Sequence, residues 1–181
     1  MKMEPRTLFL RATSIGAVVL LVDQSLKLVA RQSLAACSGP PVSACERLGL
    51  GGPFGLLRLE NAGSALGFFQ GMSVWAVIAV LGLALIPLYG RRVAQTGWLA
   101  AIAIGLQAGG TLGNLVDRAV FGSVTDFIDV GVGVVFNPAD VALLCGMVLA
   151  FEAVRRSGFE SSSPNAVLPR ATIASGDVLS P

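Results

Sequence analysis

The chain has 181 residues, of which 54% are hydrophobic and only 13% charged, with a formal net charge of +2 and no histidine. An ordinary soluble domain is about one quarter charged, so a mean hydropathy of +0.73 points to a membrane protein. Histidine catalysis and histidine-ligated metal sites are excluded, and so small a net charge argues against a nucleic-acid partner.

Four apolar blocks, about residues 8–30, 73–89, 97–116 and 139–154, approach the roughly 20 residues that a spanning helix needs. The expected fold class is an all-α membrane protein: four transmembrane helices, with a small extracytoplasmic β element in the first outward loop. Residues 1–156 would form the membrane domain and residues 157–181 a mobile cytoplasmic tail.

The first block follows Lys2 and Arg6 and contains Arg11. Asp23 and Lys27 lie at i and i+4 near its far end, in the favourable order for an ion pair. The stretch "SLAAC" (Ser33 to Cys37) is similar to the end of a bacterial lipoprotein signal peptide. However, Asp23, Gln24, Lys27 and Arg31 interrupt the apolar run before it, so the block reads as an uncleaved helix.

The loop of about residues 31–72 begins in turn-rich sequence. Cys37 and Cys45 fall in it, and two readings stay open, a disulfide in an oxidising compartment and two free thiols. Arg58 and Glu60 then alternate with Leu57 and Leu59, the pattern of a half-buried strand. "NAGSALG" follows as a glycine-bearing turn.

After the second block, Arg91 and Arg92 sit in a short connection. The third block has two faces. Gly105, Gly109 and Gly113 recur every fourth residue and allow another helix to approach closely. Gln107, Thr111, Asn114 and Arg118 share a polar stripe, which should face protein or water rather than lipid. Hydrogen bonding between helices is the plain reading of Gln107 and Thr111. "GGTLGN" has no preceding strand, so it is not a dinucleotide-binding loop.

Asp117, Asp126 and Asp129 lie in or just before the loop between the third and fourth blocks. "FNPAD" then opens the fourth helix. Asn137 fits the N-cap, Pro138 the first helical position and Asp140 the third, where the helix dipole favours its charge. Cys145, within this block, reads as a small packing residue. Arg155 and Arg156 follow the block.

The basic clusters set the orientation. Four crossings put Lys2, Arg6, Arg11, Arg91, Arg92, Arg155 and Arg156 on the cytoplasmic side, with both termini. Arg31, Arg47, Arg58 and Arg118 count against this. Asp23, Lys27, Asn114, Asp117, Asp126, Asp129, Asn137 and Asp140 then gather at the outer surface. Asp126 lies among Val124, Phe127 and Ile128, which disfavour charge, whereas Asp140 sits where charge is favoured. Two carboxylates pushed apart in this way can serve as an acid/base pair. The alternative is that both are caps or ion-pair partners of Lys27 and Arg118, and spacing alone leaves that choice open.

The chain resembles the lipoprotein signal peptidases (signal peptidase II), a bacterial family of intramembrane aspartyl proteases. The resemblance rests on "DQSLK", "NAGSALG", "GGTLGNLVDR", "GSVTDFID" and "FNPAD", in that order. It implies that Asp126 and Asp140 are the catalytic pair. It also implies that Asp23, Lys27, Asn61, Gly63, Asn114, Arg118, Asn137 and Ala139 support the site or bind substrate. Asp117 becomes structural, paired with Arg118 or another nearby cation, and the role of Asp129 stays open. Leu66 departs from the phenylalanine frequent in the family, and the short stretch between Asp126 and Asp140 puts lid behaviour in doubt.

The implied activity is cleavage of diacylglyceryl-modified prolipoproteins before the lipidated cysteine, at the outer face of the bacterial inner membrane. The implied partners are that substrate and membrane lipid. The enzyme is expected as a monomer, with no cofactor and no metal. The rival readings are a small ion- or proton-coupled transporter, for which intramembrane acids are the usual mark, and a structural membrane subunit.

Overall fold

The computed structural model describes residues 4–37, 45–62 and 97–161, with side chains to residue 156. Among them are three helices and five strands. These are α1 (Pro5–Ser33), β1 (Ala36–Cys37), β2 (Leu48–Gly51), β3 (Phe54–Asn61), α2 (Trp98–Phe121), β4 (Val124–Asp129), β5 (Val135–Phe136) and α3 (Pro138–Ser161).

This overturns the all-α expectation. The strands form one mixed five-stranded sheet, so the β structure is a layer of the fold and not a minor loop feature. Two of the helices, α1 and α2, are long and apolar enough to cross a membrane. The helix expected over residues 73–89 lies outside the described residues.

β3 organises the sheet. β2 lies antiparallel along its first half, Leu48 opposite Leu56, and β1 lies parallel along its second half, Cys37 opposite Leu59. β4 takes the other edge antiparallel, with Leu59 opposite Asp126 and Asn61 opposite Val124. β5 pairs with the far end of β4. The segment expected as a loop carrying Asp126 and Asp129 is therefore a strand. Its partner comes from the distant first loop, which no local pattern reveals. A disulfide joins Cys37 to Cys45, with Cα atoms 5.4 Å apart, which resolves the choice between the two thiol readings.

The helices are apolar outside and small or polar inside. On α1 the buried residues are Ala12, Gly16, Asp23, Lys27 and Ala30, while Phe9, Val18 and Leu21 are exposed. That arrangement suits lipid as the solvent. Cys145 is exposed on α3, among Leu144, Met147 and Val148, and not packed as expected.

The glycine face of α2 packs on α1 as its spacing implies. A Cβ at Gly109 would lie 2.5 Å from the Gly16 carbonyl oxygen, and one at Gly105 2.8 Å from that of Ala12. The next glycine, Gly113, touches Asp23, so α1 and α2 run parallel. α3 runs against them: Gly110 abuts Ala139, and Gly146 abuts Gln107. At the end away from the sheet, Leu8, Ala100 and Ala153 cluster. At the other end, Gly122 ends α2 in the left-handed conformation, φ 76°, with its N–H on the Arg118 carbonyl. This reversal feeds the chain straight into β4.

Candidate active site

The site forms where the C-terminal halves of α1 and α2, the N-terminus of α3 and strand β4 meet. Its base is an ion cluster. Lys27 is fully buried and reaches Asp23 at 2.9 Å, Asp117 at 3.1 Å and the Asn114 side-chain oxygen at 2.9 Å. Asp117 also takes Arg31 at 2.7 Å, so the cations paired with it are Lys27 and Arg31. Gln24 ties Asp23, Asp117 and the Gly113 carbonyl together. A lone buried charge here would be costly, and the full set of partners offsets that cost.

The start of α3 is closed by its own residues. The Asn137 side-chain oxygen accepts from the Asp140 N–H at 3.0 Å, and Asp140 accepts from the Asn137 N–H at 3.2 Å. This reciprocal capping box confirms the N-cap expected from "FNPAD". The Ala139 N–H donates to Asp23 at 3.0 Å. With Pro138 carrying no N–H, each first-turn amide of α3 through Asp140 has a partner.

Onto this base the fold brings the two candidate carboxylates. Asp126 is 3% exposed and Asp140 7%. Asp126 accepts from the Asn137 side chain at 2.6 Å on one oxygen and from Asn61 at 3.0 Å on the other. Asp140 accepts from Asn114 at 2.9 Å in addition to the capping contact. Burial, then the nearby charge of Asp140, pushes the Asp126 carboxyl up to about 7, against the hydrogen bonds from Asn61 and Asn137.

Of the residues singled out in the sequence, Asp23, Lys27, Asn61, Asn114, Asp126, Asn137, Ala139 and Asp140 join one hydrogen-bonded network. Arg118 borders it, donating to the Asn114 carbonyl at 3.2 Å. Gly63 lies outside the described residues.

Asp129 stands apart. It pairs with Arg47 and caps Gly131 at 2.8 Å, at the other end of β4. The Gly131 N–H bond, followed by Arg47, holds its carboxyl below the usual range despite burial. Gln107 and Thr111 hold buried side-chain oxygens without a hydrogen-bond partner among the described residues. For these two oxygens the expected bonding between helices is not seen there.

The sequence reading did not single out Gln24, Arg31 or Thr125 for the site. Arg31 shares one helix face with Lys27 and Asp23, and that i, i+4, i+8 spacing was the available signal.

The sequence model described as signal peptidase (SPase) II matches residues 15–155. The chain belongs to the signal peptidase II family. Signal peptidase II is a protease of lipoprotein processing, and the two long apolar helices agree with a membrane enzyme.

A lipoprotein signal peptidase of Nitratidesulfovibrio vulgaris (strain DP4) is 34% identical, over 78% of this chain and 87% of its own length. Another, of Halothermothrix orenii, is 31% identical over 73% and 86%. Two solved structures of bacterial membrane enzymes, both by the in meso method, are also similar. One covers 92% of this chain and 98% of its own at TM-score 0.67 and 24% identity, and bears on the fold alone. The other covers 84% and 95% at TM-score 0.62 and 26% identity.

Proposed function

We propose that this chain is an aspartic endopeptidase that removes signal peptides from prolipoproteins. It would cleave the peptide bond before a cysteine already carrying a diacylglyceryl thioether, with Asp126 and Asp140 as the catalytic pair. The observation that carries this is the pair itself: two buried carboxylates bridged by Asn137, one of them held near neutrality.

Asp126 in its acid form would polarise the scissile carbonyl, and ionised Asp140 would take a proton from water. The water oxygen bonds to the carbonyl carbon. The resulting tetrahedral species would collapse by breaking the C–N bond, the leaving nitrogen taking the proton that Asp140 drew from the water. Asn61 bonds to Asp126, Asn114 to Asp140 and Arg118 to the Asn114 carbonyl, and these three would hold the substrate backbone.

The end of the helices opposite the site carries Arg11, Arg155 and Arg156. Positive charge marks the cytoplasmic side, so the site would face the outer surface of the inner membrane, where water is available. A lipid-modified cysteine lies at that depth.

The test is mass spectrometry of the products from a diacylglyceryl-modified prolipoprotein incubated with purified protein in detergent. A new N-terminus at the lipidated cysteine supports the reading. Cleavage elsewhere, or equal cleavage of the unlipidated precursor, contradicts it.

A further inference from the structure

We propose that Arg31 is a positioning residue for Asp126, acting through Thr125. The proposal rests on the assignment of Asp126 to the catalytic pair.

Thr125 precedes Asp126 on β4 and is fully buried. Side chains alternate along a strand, so the two point to opposite faces. Whatever fixes Thr125 on one face therefore sets the height and twist at which Asp126 leaves the other. β5 pairs only with Ile128 and Asp129 and does not reach Thr125. Its N–H donates to Asp117 at 3.0 Å instead.

The hydroxyl is held as firmly. It accepts from Arg31 Nε at 2.9 Å and donates to Glu60, whose oxygens lie 3.2 and 3.5 Å away. Glu60 takes Arg58 at 2.7 Å, and Arg58 returns to the Arg31 carbonyl at 3.0 Å. Arg31, Thr125, Glu60 and Arg58 thus close a ring that binds the end of α1 to β3 and β4. Ser123 adds a bond to Glu60 at 2.9 Å.

Arg31 itself has little freedom. Its guanidinium bridges Asp117 and Thr125 and lies 3.9 Å from the centre of the Phe121 ring. A planar guanidinium reaches two acceptors at fixed angles, whereas an ammonium is a single point of charge. Lysine at this position would keep the charge beside Asp117 and lose the simultaneous hold on Thr125. Misplacement of a reacting group by about 1 Å can cost about a hundredfold in rate, and Arg31 and Thr125 act here on Asp126 rather than on the groups that would hold substrate.

The experiment compares the full-length protein with Arg31→Lys, Thr125→Val, the double variant and Thr125→Ser. The readouts are kcat and KM for prolipoprotein cleavage, its pH profile, and the melting temperature in detergent. Each of Arg31→Lys and Thr125→Val should lower kcat about fivefold or more with KM within about twofold. The double variant should be little worse than the poorer single, because both break one contact. Thr125→Ser, which keeps the hydroxyl, should restore most of kcat.

Wild-type kcat in either single variant overturns the proposal, as do losses that multiply in the double. A 13C carboxyl titration of Asp126 gives a reading independent of turnover. Its midpoint, set among Asp140, Lys27, Asn61 and Asn137, should move in both single variants and return in Thr125→Ser. An unmoved midpoint overturns the proposal. Failure of the wild type to cleave, with the titration still displaced, counts against the proposed function and not against the clamp.

Discussion

Asn137 donates its side-chain amide to Asp126 at 2.6 Å, and its main-chain N–H donates to Asp140 at 3.2 Å. One residue therefore caps α3 and spaces the two carboxylates. These roles are separable. Serine caps a helix about as well as asparagine but is too short to hold Asp126. Asn137→Ser should melt close to the wild type yet cleave at least tenfold more slowly, whereas Asn137→Ala should also lose about 1 kcal/mol of stability. Cleavage assays and thermal unfolding on the same preparations check both.

Asp126 gives the fold a pH dependence. Its carboxyl titrates at about 7 in the folded protein against an ordinary value of 3.8. The folded state therefore binds this proton more tightly than the unfolded state does. The resulting stabilisation is complete below pH 3.8 and is lost as pH rises to about 7. Asp126→Asn removes the dependence. Its stability relative to wild type should grow across that window by on the order of 2–4 kcal/mol. Thermal unfolding of both proteins from pH 4 to 8 checks the sign.

Lys27 is the keystone of the ion cluster. Lys27→Met would leave Asp23 and Asp117 buried without its charge, and Arg31 compensates only Asp117. The expected cost is about 3 kcal/mol or more. It should appear as a large drop in melting temperature, with lost activity as a consequence. A variant as stable as the wild type would mean that the cluster does not form.

The Cys37–Cys45 disulfide ties the edge strand β1 to the segment leading into β2. Replacing both with serine should cost about 2–3 kcal/mol, from the entropy of a short closed loop. Differential alkylation of the protein in intact cells tests the bond: both thiols should be blocked before reduction and reactive after it.

The legible parts of this molecule are those written in local periodicity. Hydropathy places α1, α2 and α3, each shorter than observed, by four to eight residues. The four-residue glycine repeat found the face of α2 that meets Gly16, and "FNPAD" announced the capping box. β4 was not legible. "VTDFID" alternates weakly, and it becomes a strand because β3, more than 60 residues earlier, supplies its partner. The sheet was missed for that reason, and the all-α expectation failed with it. Likewise Arg31, a positive charge on the outward side that by itself counts against the orientation, acquires its meaning from Asp117 and Thr125 on other elements. Spacing gathered the acids at one end. It was the family resemblance that singled out Asp126 and Asp140 among them.

The most direct test of the dyad is a gel-shift assay of prolipoprotein cleavage by wild type, Asp126→Asn and Asp140→Asn, each shown to be folded by circular dichroism. Asparagine keeps the shape of aspartate and removes the titrating proton. The account predicts processing by the wild type and none by either variant. Measurable turnover by either folded variant would contradict the assignment of Asp126 and Asp140 as the pair that activates water.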